Sequence, residues 1–287
     1  YKKIVLKASR LAANSIDSVL TLQTAKPYEF RLLIPFLFAL FKPITFIAQQ
    51  AIYGIYSSVI LYFLILVYHN LLCLYFSNKK LVLIVSPVIL YPIVWNYLLL
   101  NETFQYYDFT AILIFTLGMY FVIKEKFGIF MIILFIGLLN KESAAYLIFV
   151  YLLFNYKNIF TKKVILNAAF ASLLIITVKL LLSYIFKNNP GDNVEVTYDG
   201  NIEIISDFFS NRIYFRTVAL NYGALYVFAV LLFITGAWKK FPDRRLVLLN
   251  LTIVPFYIFG MFVTYISEVR VYAELIPMIT TLFLIYL

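Results

Sequence analysis

Asn140-Lys141-Glu142-Ser143 places two opposite charges inside an apolar run from Phe127 to Tyr156. Charges at such a position are costly in lipid unless they pair or line a wet cavity. Three more corners share this character: Glu29-Phe30-Arg31, Tyr106-Tyr107-Asp108 and Glu268-Val269-Arg270, the last extended one helical turn on by Glu274. Each stands at the edge of an apolar run rather than inside a polar loop. Carboxylates beside guanidinium and ammonium groups serve two kinds of purpose. As ion pairs or interface anchors they brace a helix bundle. As a reactive set they suit group transfer, in which a carboxylate takes the proton of an acceptor hydroxyl. Lys or Arg then neutralises a phosphate that gains charge as it leaves. Lys179, between Val178 and Leu180 in another apolar run, has the same pair of readings.

Other chemistries find little in the chain. A single histidine, His69, and a single cysteine, Cys73, rule out a multi-histidine metal site, a cysteine metal site and a disulfide framework. Asp192, Asn193 and Glu195 lack the spacing of a calcium loop. Asn101-Glu102-Thr103 fits the glycosylation triplet, which has meaning only in a eukaryotic secretory membrane. The net charge of +10 invites a nucleic-acid reading, but in a chain this apolar, lysines in cytoplasmic loops explain it better, and no nucleic-acid partner is expected.

The elements that must position these corners are membrane helices. Hydrophobic residues make up 63% of the 287, and aromatics 19%; mean hydropathy is +0.91. Soluble domains sit nearer half apolar. Residues 3 to 23 follow an amphipathic helical pattern, with Ile4, Ala8, Leu11, Ile16 and Leu20 on one face and Lys3, Lys7, Arg10 and Asp17 on the other. Such a helix lies in the interface. Leu32 to Phe41 is too short to span and reads as a half-helix or interfacial helix. Apolar segments follow at 46–76, 81–100, 109–123, 127–139, 144–154, 163–186, 218–238, 246–266 and 271–287. The expectation is an all-α polytopic bundle of about eight or nine membrane segments, some short or broken. Residues 1–31 would form the interfacial helix and outer loop, and 32–287 the transmembrane domain, with 187–217 as an outer polar loop. Within that loop, 188–192 and Tyr198-Asp199-Gly200-Asn201 are turn signals around a short strand at 193–197, a small hairpin. The chain begins without Met and shows no signal-peptide pattern, so the expectation is a fragment truncated before an upstream membrane segment.

Loop charge sets an orientation. The turns at 77–80, 124–126, 155–163 and 239–245 carry 11 Lys and Arg, and the alternate set at 101–108, 140–143, 187–217 and 267–270 carries 5. The basic set is then cytoplasmic and the four charged corners face outward. The basic helix at 3–23 strains this assignment, since alternation through 46–76 puts it outside. Residues 144–154 rise only about 17 Å as a helix, against a hydrocarbon core of about 30 Å. Lys141 and Glu142 are thus expected below the outer surface, at the floor of an outward cavity.

With Tyr28-Glu29-Phe30-Arg31 followed by Leu32 to Pro35, Tyr107-Asp108, Leu139 to Ser143, and Glu268-Val269-Arg270 with Pro277, the chain resembles the GT-C superfamily of membrane glycosyltransferases over roughly residues 17 to 287. The resemblance implies a sugar bound to polyprenyl phosphate as donor, in some members with a divalent metal, and a cell-membrane, multi-pass location. In that superfamily an acidic residue of the first outer loop is catalytic, which points here to Asp17 or Glu29, though no two-carboxylate motif stands beside either. On this reading Glu142 or Asp17 is the base, with Asp108 as a further catalytic carboxylate. Lys141, Arg31 and Arg270 meet the phosphate, and Glu29, Glu268 and Asn140 complete the substrate contacts. A secondary transporter or lipid-linked saccharide flippase is the alternative, because broken helices with midplane charges also mark transporters. An assembly subunit held together by the same charges needs only their bracing role.

Overall fold

The computed structural model describes residues 30–41, 49–94, 107–189, 197–206, 243–264 and 269–286, with a few positions between 231 and 241. The amphipathic pattern at 3–23, the strand at 193–197 apart from Thr197, and most of 218–238 lie outside the described residues. Among those described, regular structure is helical throughout, with no β-strand.

Three helices are long and apolar enough to cross a membrane: Ala51–Leu72, Lys162–Ile185 and Arg244–Val263. They mark the chain as membrane-associated. Four shorter apolar helices accompany them, Asp108–Ile123, Phe127–Asn140, Glu142–Phe154 and Tyr272–Tyr286. We label the elements in chain order: α1 Leu33–Phe41, α2 Gln49–Leu72, α3 Lys79–Val85, α4 Leu90–Val94, α5 Asp108–Ile123 and α6 Phe127–Asn140. There follow α7 Leu147–Phe154, α8 Lys162–Ile185, α9 Tyr198–Ser206, α10 Arg244–Leu249, α11 Ile253–Val263 and α12 Ile276–Tyr286.

The core sits around α5. Ten residues of its last fifteen are buried, including Ile112, Phe115, Thr116, Met119 and Val122, and it packs against α2, α6, α7, α12 and the 3₁₀ turn Val269–Leu275. A helix apolar on every face belongs at such a centre. Thr110 and Thr116 are kept from costing stability there: Thr116 donates to the carbonyl of Ile112 at 2.7 Å, and Thr110 hydrogen-bonds the hydroxyl of Tyr56 on α2. By contrast α2 and α8 turn Ile55, Val59, Tyr62 and Phe63, and Phe170, Leu173, Ile176 and Leu180, outward. So large an exposed apolar surface suits lipid rather than water.

Several boundaries differ from the sequence reading. Within the run 46–76 the described residues form α2 up to Leu72, and residues 73–75 turn before Asn78 caps α3 by accepting from the backbone of Lys80 at 3.1 Å and Leu81 at 3.2 Å. The run from 81 is broken into α3, a 3₁₀ turn at Ser86–Ile89 and α4. Pro87 opens that turn, where its missing N–H interrupts the helical ladder. The expected turn at Tyr198–Asn201 is instead the first turn of α9. The physical reason is tertiary. Buried Asn201 donates to the carbonyls of Met261 at 2.9 Å and Thr264 at 2.7 Å, and the amide of Thr197 donates to Phe262 at 3.0 Å. These bonds satisfy the carbonyls left over at the end of α11, so the segment docks as a helix.

Candidate functional site

The charged corners converge because α5 and α6 form an antiparallel hairpin of nearly equal arms. Sixteen residues in α5 and fourteen in α6 rise about 24 Å and 21 Å, so the start of one lies level with the end of the other. Asp108 occupies the first turn of α5, where the helix dipole favours an anion. Lys141 follows the last residue of α6 in an extended conformation, where the dipole favours a cation. Asn140 closes the hairpin by donating from Nδ2 to the carbonyl of Tyr107 at 3.1 Å.

Gly137 makes the break possible. A Cβ there would lie 2.7 Å from the Cβ of Ala144 and 2.8 Å from Cγ2 of Ile114. Only a glycine allows the 3₁₀ turn Glu142–Tyr146 to fold back so close to both α6 and α5. The space below Lys141, lined by Ala111, Ile114, Phe115, Gly137 and Ala144, has no room for a water molecule.

Lys141 is buried and shared by two carboxylates. Its Nζ is 2.8 Å from Oε1 of Glu274 and 3.4 Å from Oδ1 of Asp108. Ser143 donates to the same Oε1 of Glu274 at 2.7 Å. All three charged groups are nearly closed to solvent, so each relies on the others for its charged form. Glu274 comes from the 3₁₀ turn Val269–Leu275, which Tyr272 secures by stacking on Tyr257 at 4.4 Å between ring centroids.

A second layer lies beside this one. Nε of Arg31 is 3.6 Å from Oε2 of Glu142. Its guanidinium lies 4.2 Å from the ring centroid of Tyr107 and also donates to that residue's hydroxyl. Glu142 is the most open carboxylate of the group, with 36% of its side chain exposed, while its Oε1 is buried and accepts no hydrogen bond from the described residues. Lys179 on α8 sets its ammonium 3.9 Å from the centroid of Phe30, the neighbour of Arg31. A mid-span cation is thereby brought to the same end of the bundle.

Of the residues singled out from the sequence, Asn140, Lys141, Glu142, Asp108 and Arg31 come together. Asp17, Glu29 and Glu268 lie outside the described residues, as does the side chain of Arg270. Glu274, Ser143 and Tyr107 stood in the charged corners read from the sequence without an assigned role, and they complete the cluster. The signal for Glu274 was present in the sequence as a carboxylate one turn after Arg270 in an apolar run. Asp108 and Glu274 both face the ammonium of Lys141, which occupies the position a divalent cation would need. Among the described residues no group of three or more His, Cys, Asp and Glu is placed to hold a metal ion, here or elsewhere. This donor set does not fit a metal. No family model, no curated protein and no solved structure matches this chain.

Proposed function

We propose that the chain is a multi-pass membrane glycosyltransferase of GT-C type, moving a sugar from a polyprenyl-phosphate donor on the outer face of the cytoplasmic membrane. The observation that carries this reading is the Arg31–Glu142 pair at the helix break. It sets a part-exposed carboxylate, one of whose oxygens accepts no hydrogen bond from the described residues, 3.6 Å from a guanidinium. In the reaction the acceptor hydroxyl gives its proton to Glu142 and its oxygen bonds the anomeric carbon. The bond from that carbon to the phosphate oxygen breaks, and the prenyl phosphate leaves with the electron pair. Arg31, with Lys179 close by and Arg270 on the neighbouring turn, neutralises that phosphate. Lys141 is then a positioning residue, because Asp108 and Glu274 already occupy its ammonium.

The test is sugar transfer from a labelled polyprenyl-phosphate donor by membranes carrying wild type, Glu142→Gln or Asp17→Asn. Loss of a general base lowers kcat by about 10²–10⁴-fold, and that loss is expected for Glu142→Gln. Full activity in both variants would sink the assignment. One observation favours transport instead: a buried lysine shared by two carboxylates at a broken helix, the kind of site at which transporters hold ions and substrates. Flux of a lipid-linked saccharide across proteoliposomes without any transfer would establish that alternative.

A further inference from the structure

At the opposite end of the α5–α6 hairpin, about 24 Å from Asp108, the helices part around a recess of about 360 Å³. Small-molecule sites begin near 300 Å³. Its floor is aromatic: Phe130 stacks on Tyr151 at 5.8 Å, and Phe127 contacts both, at 5.8 Å and 5.4 Å between centroids. Its wall carries Asn155 and Asn167, each held by a hydrogen bond of 2.9 Å to Tyr151, the first to the carbonyl and the second to the hydroxyl. Both amides keep a carbonyl oxygen able to accept from a hydroxyl. Glu125, Asn158, Thr161 and Lys163 line the mouth.

Three features narrow what fits. First, the mouth is basic: Lys163 lines it, and Lys124, Lys126, Lys157 and Lys162 adjoin its lining residues in the chain. Second, Glu125 keeps a carboxylate there at φ 56, a left-handed position that favours glycine or asparagine at the end of a helix. A carboxylate there accepts from ligand hydroxyls and repels a second free phosphate charge. Third, an apolar surface leads away from the mouth. Phe160 is 90% exposed, and Ile165, Leu166 and Phe170 continue it along α8. A soluble ligand has no use for that surface, whereas acyl chains do.

We propose that this recess binds the headgroup of an anionic, hydroxyl-bearing phospholipid of the phosphatidylglycerol type, taken from the lysine-rich side of the membrane. The phosphodiester meets Lys163, the glycerol hydroxyls meet Glu125 and the Asn155 and Asn167 amides, and the acyl chains lie along Phe160 and α8. Basic recesses between membrane helices suit anionic headgroups in this way. The site is separate from the charged cluster and does not depend on the transfer reaction.

The test is native mass spectrometry of the purified protein offered equal amounts of phosphatidylglycerol, phosphatidylethanolamine and phosphatidic acid. A thermal-shift arm uses water-soluble glycerophosphoglycerol. Wild type should retain phosphatidylglycerol over both other lipids and should not respond to the soluble headgroup. Lys163→Gln should weaken retention about tenfold, the effect of losing one charge-assisted hydrogen bond, and Lys163→Arg should restore it. Glu125→Gly should hold or raise Tm while erasing the preference over phosphatidic acid, a combination that a purely structural glutamate does not produce. Equal retention of the three lipids, an unchanged Lys163→Gln protein, or binding of glycerophosphoglycerol as tight as that of the lipid would each overturn the proposal.

Discussion

Lys141 shows how a buried charge becomes structural. Its ammonium is bonded to Glu274 at 2.8 Å and faces Asp108 at 3.4 Å, so replacing it leaves two carboxylates facing each other out of water. Lys141→Met should therefore cost about 3–5 kcal/mol, read as a fall in Tm in detergent or nanodiscs. Ser143→Ala removes one hydrogen bond to the same carboxylate and should cost less, about 1.5–3 kcal/mol. Glu142→Gln should leave the stability within about 0.5 kcal/mol of wild type, and Tm nearly unchanged, because it sits at a part-exposed pair. A Tm loss for Glu142→Gln as large as that for Lys141→Met would assign Glu142 to the brace rather than to chemistry.

At the scale of elements, the helix break at 140–142 depends on close approach. Gly137→Ala drives a methyl into Ala144 and Ile114 and should destabilise by about 1–3 kcal/mol. Gly128, on the same helix, has nothing within 4 Å of where a Cβ would go. Gly128→Ala should be neutral or stabilising by up to about 1 kcal/mol. A thermal shift of the same sign for both would contradict the packing described here. The docking of α9 is a separate test. Asn201→Ala loses bonds to Met261 and Thr264, so amides of residues 198–206 should exchange hydrogen faster while those of α5 remain protected.

Among the described residues, a hairpin core is wrapped by apolar helices, with charged groups at both ends of the hairpin. The lysine-rich turn at 124–126 stands at one end of α5 and the Asp108–Lys141–Glu274 cluster at the other. If the bundle spans, single cysteines at Lys157 and Tyr198, both exposed, should react with an impermeant maleimide from opposite sides of the membrane in a Cys73→Ser background. Labelling of both from one side would overturn the orientation inferred from loop charge.

The sequence alone determined the helical, membrane-associated class, since a chain 63% hydrophobic with long apolar runs leaves the backbone no cheaper partner than itself in lipid. It also made the corners at Arg31, Asp108 and Asn140–Glu142 legible, because isolated charges stand out against apolar neighbours. Pairing was another matter. Lys141 reaches Asp108 because two helices of matching length run antiparallel, and it reaches Glu274 because a 3₁₀ turn 133 positions away packs against α5. Neither length matching nor that packing is a local property of any segment. The same holds for α9, whose turn-like residues became a helix when the end of α11 offered carbonyls to Asn201. Local pattern set which residues are charged or apolar; only the tertiary structure decided which charges share one proton donor and which carboxylate, Glu142, is left partly open.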